Sequence, residues 1–165
     1  MNPQHSDAFV FFGTMGDLAY KKIFPSLQAM IKRGHLDIPV IGVDRAAASI
    51  DDLKARAHSS LEDSGKFDSD AFNKLCDLLH YVQGDITAPE TYQALRRELN
   101  GAQRPSFYMA VPPSIFSKVI DQLAGADLIK GARVILEKPF GHDLESAKKL
   151  NSVLHNTYKE EAIYR

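Results

Sequence analysis

Short apolar runs rich in Val, Ile and Phe alternate along the chain with longer stretches in which apolar residues recur at helical spacing. The runs predict five strands, at about 8–13, 39–43, 80–83, 106–111 and 132–137, and the stretches predict helices at about 17–33, 50–62, 69–79, 89–99, 114–123 and 144–155. Runs such as FVFF and RVIL are apolar at successive positions, as in strands buried on both faces. The pattern predicts an α/β fold: a Rossmann-like, doubly wound parallel sheet in a three-layer arrangement.

Three residues are expected to end, bend or cap these predicted helices. Gly34 follows the first helical stretch and is expected to end it. Pro25 falls inside the same stretch, so it should bend the helix or remove one backbone hydrogen bond. Ser114 is expected to cap the helix that follows the fourth strand.

The composition fits one domain. The chain has 165 residues, of which 44% are apolar and 25% charged. A net charge of −1 argues against binding to nucleic acid, since no excess of basic residues is available for phosphates. With no apolar run long enough to cross a bilayer and no secretory signal at the N terminus, we expect a cytoplasmic protein that does not enter a membrane. The single cysteine, Cys76, is expected to be a small buried hydrophobe.

The junction after the first strand carries the clearest chemical pattern. Gly13, Gly16 and Ala19 are spaced as Gly-x-x-Gly-x-x-Ala, a variant of the dinucleotide-binding fingerprint. A turn of this kind needs a glycine after the strand, a residue without a side chain beside the pyrophosphate, and a small residue where the helix packs on the sheet. The alternative is a simple strand-to-helix turn capped by Asp17. A Walker loop is excluded, because no Gly-Lys-Ser/Thr closes the segment.

The end of the second predicted strand bears on the choice of coenzyme. Asp44 can accept a hydrogen bond from the free 2′-hydroxyl of NAD, whereas Arg45 can pair with the 2′-phosphate of NADP. The third interpretation is that Asp44 and Arg45 are a solvated pair on the protein surface. From these two residues alone, the choice between NAD and NADP stays open.

Three blocks together resemble the N-terminal coenzyme domain of the glucose-6-phosphate dehydrogenase family. They read GTMGDLAYKKIFPSL at 13–27, FYMAVPPSIF at 107–116 and RVILEKPFGHDLESAKKLN at 133–151. The resemblance implies oxidation of glucose 6-phosphate at C1 to the lactone with reduction of NADP, a reaction of the pentose phosphate pathway. It implies an enzyme that is a homo-oligomer through a domain absent from these 165 residues.

The resemblance also implies roles for individual residues. It places the coenzyme against Gly13, Thr14, Gly16, Asp17, Leu18, Lys22, Arg45, Tyr108, Pro112 and Lys138. Lys138 would contact glucose 6-phosphate as well, and Pro139 resembles a family proline that can adopt a cis bond. NADP is therefore the expected coenzyme, with NAD as the second candidate because Asp44 departs from the small residue common in relatives.

None of the chain's histidines matches the family's catalytic base, so we expect residues 1–165 to bind coenzyme as one domain without turning over substrate. On this interpretation the chain stops before the catalytic and dimerisation domain. Two alternatives remain. One is a stand-alone nucleotide-binding or regulatory module that lacks catalysis, and the other is a different oxidoreductase of the same superfamily.

Overall fold

A single parallel sheet of six strands forms the centre of the protein. A computed structural model describes residues 5–47 and 49–165. The strands lie in the order β3-β2-β1-β4-β5-β6. Their bounds are β1 Ala8–Phe12, β2 Val40–Asp44, β3 Leu79–Gln83, β4 Pro105–Met109, β5 Arg133–Leu136 and β6 Ile163–Tyr164. The predicted doubly wound parallel sheet is confirmed, and β6 is a strand that the apolar pattern did not predict.

Within the described residues, six α-helices connect the strands. They are α1 Phe24–Lys32, α2 Ile50–Asp63, α3 Ser69–Leu78, α4 Pro89–Leu99, α5 Phe116–Gly125 and α6 Leu144–Thr157. A π-helical segment, Ala19–Ile23, precedes α1, and short 3₁₀ turns occupy Pro113–Ile115 and Glu160–Ala162. None of the helices in the described ranges is long and apolar enough to cross a membrane.

Alternate side chains of each central strand pack against opposite helical layers. In β1, Phe11 belongs to the apolar cluster formed with α1, α2 and α3. Its neighbours Val10 and Phe12 belong to the cluster formed with α4, α5 and α6. This burial on both faces explains why the strand is apolar at successive positions. The two clusters fix the sheet between its helical layers.

A trough of about 850 Å³ lies beside α1, over the face of β4 and β5 that is opposite α4–α6. Tyr108 and Ile135 contribute to its floor, and Leu27 and Met30 of α1 form part of its wall. The trough runs from Glu137, just past the carboxyl end of β5, to residues of the α1–β2 connection.

The structure agrees with two of the three predictions about where helices begin, bend and end. The amide of Phe24 donates to the carbonyl of Ala19, five residues earlier, so the helix widens into a π turn directly before Pro25. Gly34, at φ +70°, ends α1 as predicted. The cap predicted for Ser114 is wrong. Pro113 already starts a 3₁₀ turn, so Ser114 lies within a helical turn instead of the extended position that a cap requires.

Candidate functional site

The glycine turn lies at the point where the strand order of the sheet reverses. The chain runs from β1 outward to β2 and β3, and then returns to place β4 on the other side of β1. Gly13 follows β1, and its backbone has φ +85°. Ala110 follows β4, and its carbonyl oxygen is 2.2 Å from the position that a Cβ on Gly13 would occupy. Open α/β sheets bind ligands at the carboxyl ends of strands at such a switch point.

Hydrogen bonds shape the turn that follows. The amide of Gly13 donates to the carbonyl of Val43 at 3.0 Å, and the amide of Gly16 donates back to the carbonyl of Gly13 at 3.1 Å. A Cβ on Gly16 would lie 3.3 Å from that same carbonyl oxygen, which is tighter than an ordinary contact. Ala19 is completely buried where the helix meets the sheet. Gly13 therefore leaves no room for a Cβ atom, Gly16 leaves little room, and Ala19 is small and buried.

The remaining residues of the turn differ in their exposure to solvent. Thr14 is completely buried, and its hydroxyl has no hydrogen-bond partner among the described residues. Leu18 packs against the apolar cluster under α1. Asp17 is exposed, and its carboxylate lies 3.7 Å from Nζ of Lys21 instead of capping the helix. Gly13 and Gly16 keep the backbone of this turn free of side chains at two positions, which fits a phosphate-bearing coenzyme that binds backbone N–H groups at the start of a helix.

A cavity of about 320 Å³ opens beside the turn, at the ends of β2 and β3. Asp44 lines it and is tied to the backbone. Its Oδ2 accepts from the amide of Met15 at 3.0 Å. Its Oδ1 accepts from the amide of Ala46 at 2.9 Å. Arg45 also lines the cavity, and its Nη1 lies 3.9 Å from Oδ2 of Asp85. Asp44 therefore holds the glycine turn against the end of β2, and Arg45 presents a cation to the cavity.

Asp85 lines the same cavity, and the sequence analysis did not identify it as a candidate. Its Oδ1 accepts from the amide of Thr87 at 2.8 Å and from the hydroxyl of Thr87 at 2.7 Å. These bonds, together with the nearby charges of Arg45 and Lys118, hold the pKa of Asp85 below its ordinary value. The cavity therefore contains an ionised carboxylate that faces Arg45.

Tyr108 and Glu137 join the ends of β4 and β5. The hydroxyl of Tyr108 donates to the carboxylate of Glu137. Burial, and then this bond, raise the pKa of Tyr108 well above its ordinary value, so the phenol stays protonated. Lys138 is exposed directly after Glu137, and the Lys138–Pro139 bond is cis. Lys22 lines the same trough as Tyr108 and Glu137.

Four of the ten predicted site residues line one of two separate cavities. Gly13 and Arg45 line the smaller cavity, whereas Lys22 and Tyr108 line the trough. Pro112 is exposed in the connection after β4, before the 3₁₀ turn. The glycine turn, after the central strand β1, contributes to the smaller cavity and leads into the helix that borders the trough.

Arg56 is a second residue that the sequence analysis missed. It lies on α2, and its Nη2 donates to the carbonyl of Gly16 at 3.2 Å. Its guanidinium carbon is 4.8 Å from the centre of the Tyr20 ring. The buried Nε has no hydrogen-bond partner within the described residues. Arg56 therefore places a cation at the glycine turn, from a position 40 residues further along the chain.

Comparison with known sequences decides the family. The family model described as "Glucose-6-phosphate dehydrogenase, NAD binding domain" matches residues 10–165. The chain belongs to the glucose-6-phosphate dehydrogenase family. It is 38% identical over 160 residues to glucose-6-phosphate 1-dehydrogenase 1 of Mycobacterium tuberculosis, covering 97% of this chain and 34% of the relative. It is 34% identical to glucose-6-phosphate 1-dehydrogenase of Saccharomyces cerevisiae, covering 93% of this chain and 33% of the relative.

Solved structures of glucose-6-phosphate dehydrogenases share the architecture. The Mycobacterium avium enzyme superposes with a TM-score of 0.91 at 40% identity, covering 96% of this chain and 36% of that one. A glucose-6-phosphate dehydrogenase solved with its substrate glucose-6-phosphate gives a TM-score of 0.85 at 32% identity, covering 96% and 35%. A short-chain dehydrogenase/reductase of Veillonella parvula, with a TM-score of 0.51 at 10% identity, shares the fold alone. The predicted family and Rossmann-like fold are confirmed, and the chain spans about a third of the length of the glucose-6-phosphate dehydrogenases it matches.

Proposed function

We propose that residues 1–165 form the NADP-binding domain of a glucose-6-phosphate 1-dehydrogenase. The enzyme oxidises glucose 6-phosphate at C1 to the lactone in the pentose phosphate pathway, acts in the cytoplasm and assembles as a homo-oligomer. The observation that carries the proposal is the glycine turn at the switch point, with Arg45 in the cavity beside it. The family match supports the same assignment.

Each end of the coenzyme has a matching part of the chain. The pyrophosphate lies against the backbone of Gly13, Thr14 and Gly16, where the start of the helix offers N–H groups and partial positive charge. Asp17 and Leu18 complete this turn through their backbone. The guanidinium of Arg45 pairs with the 2′-phosphate. Bound NADP supplies the acceptor for the hydride that leaves the sugar.

The nicotinamide half lies toward the ends of β4 and β5. Tyr108 and Pro112 flank this half of the coenzyme. Lys22, in the π-helical segment before α1, adds a cation to the trough that Tyr108 also lines. Lys138 follows β5 at the same edge of the sheet, where its ammonium contacts both the coenzyme and the phosphate-bearing substrate. These residues bind and orient; none of them is assigned the role of catalytic base.

Calorimetric titration of the 165-residue chain with NADP and with NAD tests the coenzyme assignment. Arg45→Ala removes the charge-assisted contact to the 2′-phosphate, so NADP binding weakens about tenfold, while NAD binding changes little. Arg33→Ala is the matched control, because Arg33 is an exposed arginine at the far end of α1. Unchanged NADP binding in Arg45→Ala rejects the role of Arg45. A wild-type chain that binds neither coenzyme rejects the proposal itself.

A turnover assay tests whether the chain acts alone. We expect the purified chain, mixed with NADP and glucose 6-phosphate, to produce no NADPH above the enzyme-free rate, because its proposed site residues include no catalytic base. Measurable NADPH production would contradict that expectation and require a base within these residues.

A further inference from the structure

We propose that Asp85 is a specificity-determining residue: its carboxylate opposes the 2′-phosphate at Arg45 and narrows the preference for NADP over NAD. The inference rests on the proposed coenzyme site and adds to it a residue after β3 that the sequence analysis did not include. Asp85 and Arg45 line the same cavity as Gly13 of the glycine turn.

The sheet brings the two residues together. Asp44, at the end of β2, is in register with Gln83 at the end of β3. The amide of Gly84 donates to the carbonyl of Asp44 at 3.0 Å and continues the pairing by one residue. Arg45 and Asp85 come directly after these paired positions, and Nη1 of Arg45 lies 3.9 Å from Oδ2 of Asp85.

The carboxylate of Asp85 has a fixed orientation. The amide and the hydroxyl of Thr87 both donate to Oδ1, at 2.8 Å and 2.7 Å. With Oδ1 held in this way, Oδ2 is the oxygen that faces Arg45. Because two donors stabilise the ionised form, the carboxylate carries its charge at neutral pH.

The backbone around Arg45 is anchored on both sides. The hydroxyl of Tyr81 donates to the carbonyl of Asp44 at 2.7 Å and to the carbonyl of Ala47 at 3.0 Å. The carboxylate of Asp44 accepts from the amide of Ala46. The backbone of Arg45 is therefore fixed relative to the end of β3, and its guanidinium lies next to the carboxylate of Asp85.

The charge balance of the cavity gives the direction of the effect. Asp44, Arg45 and Asp85 place two carboxylates and one guanidinium at its wall, and Lys118 on α5 adds a more distant cation. Both oxygens of Asp44 already accept backbone N–H groups. A 2′-phosphate meets repulsion from Asp85 and competes with it for Arg45, whereas the 2′-hydroxyl of NAD carries no charge. Asp85 thus acts on the choice between the two coenzymes.

Calorimetric titration of the Asp85→Asn variant tests this role. The amide preserves an oxygen acceptor for Thr87 and removes the charge. We expect NADP to bind about fivefold more tightly than to the wild-type chain, with NAD affinity within about twofold. Asp77→Asn is the matched control. It removes the same charge from the exposed end of α3, next to the amino end of β3, and should leave both affinities unchanged.

The outcomes separate the inference from the proposed function. If Asp85→Asn changes both affinities by the same factor, or changes neither, Asp85 does not determine specificity, although the coenzyme site stands. A tightening of NADP binding that Asp77→Asn reproduces also overturns the inference, because the effect then reflects net charge alone. If the wild-type chain and the variant bind neither coenzyme, the proposed function fails and the inference fails with it.

Discussion

The carbonyl oxygen of Ala110 lies 2.2 Å from the point where a Cβ atom on Gly13 would stand. This close approach joins the ends of β1 and β4, the two strands on either side of the switch point. It fixes the glycine turn against the connection that leads from β4 into Pro112. The same contact leaves no room for a side chain at Gly13, so the absence of one is a requirement of the fold as well as of the proposed coenzyme.

Gly13→Ala is expected to destabilise the chain strongly. The methyl group would collide with backbone atoms, and φ +85° is unfavourable for any residue with a Cβ. We expect the free energy of unfolding to fall by roughly 3 kcal/mol, measured by urea denaturation.

Gly34→Ala is the control for this prediction. Gly34 has φ +70°, but nothing lies within 4 Å of a Cβ placed there. Its substitution carries only the backbone penalty, so the free energy of unfolding should fall by about 1 kcal/mol. Equal losses at the two glycines would contradict the steric role of Ala110.

Two buried tyrosines should respond in opposite ways to removal of the hydroxyl group. The hydroxyl of Tyr158 has no partner among the described residues. That of Tyr92 donates to the carbonyl of Ile86 at 2.6 Å. Tyr158→Phe should raise the free energy of unfolding by about 1 kcal/mol, and Tyr92→Phe should lower it by about 1 kcal/mol. Urea denaturation measures both, and a loss in Tyr158→Phe would contradict the unpartnered state of its hydroxyl.

Stability should fall in alkaline solution. Burial raises the pKa of Tyr92 and of Tyr158 well above the ordinary value. In the unfolded chain both phenols ionise near pH 10, so above that pH the folded state binds more protons than the unfolded state. The free energy of unfolding then falls by about 1.4 kcal/mol per pH unit for each tyrosine, and below that range the contribution is constant. Urea denaturation near pH 8 and at about pH 10.5 measures the loss in the free energy of unfolding, which should be smaller in Tyr158→Phe. An equal loss in the variant would show that Tyr158 does not contribute to it.

Arg56 should support the binding of both coenzymes. Arg56→Ala removes the bond to the carbonyl of Gly16 and a cation beside the glycine turn. NADP and NAD share the pyrophosphate, so both should bind about fivefold more weakly. Arg96→Ala is the matched control, since Arg96 donates in the same way to the carbonyl of Ala126, on a connection after α5. Titration calorimetry measures both coenzymes with both variants. If Arg56→Ala weakened the binding of NADP alone, a role at the shared pyrophosphate would be contradicted.

The fold was predictable wherever strands are buried on both faces, because burial makes them apolar at successive positions. Strand β1 shows this clearly. Strand β6 was not predictable, since Ile163–Tyr164 is two residues long and obtains its structure only by pairing with β5. The cap at Ser114 failed for a related reason: the prolines before it set the local backbone, and this outweighed the preference of a serine for the first position of a helix.

The candidate site was predictable from the sequence where its residues lie close together along the chain. Gly13, Gly16 and Ala19 form a short pattern whose spacing directly reflects their geometry. Asp85 and Arg56 carry no such pattern, because each reaches the site from a different strand end or helix. Their roles depend on strand order and side-chain direction, which the spacing of residues along the chain does not encode.

The measurement that tests the account most directly is an NMR titration of the ¹⁵N-labelled chain with NADP. Binding at the switch point predicts chemical-shift changes concentrated in the amides of residues 13–18 and of Arg45 and Asp85. The trough beside α1 is the larger cavity, and its far end includes His35 and Ile38. Changes confined to that region, with the glycine-turn amides unmoved, would contradict the proposed coenzyme site.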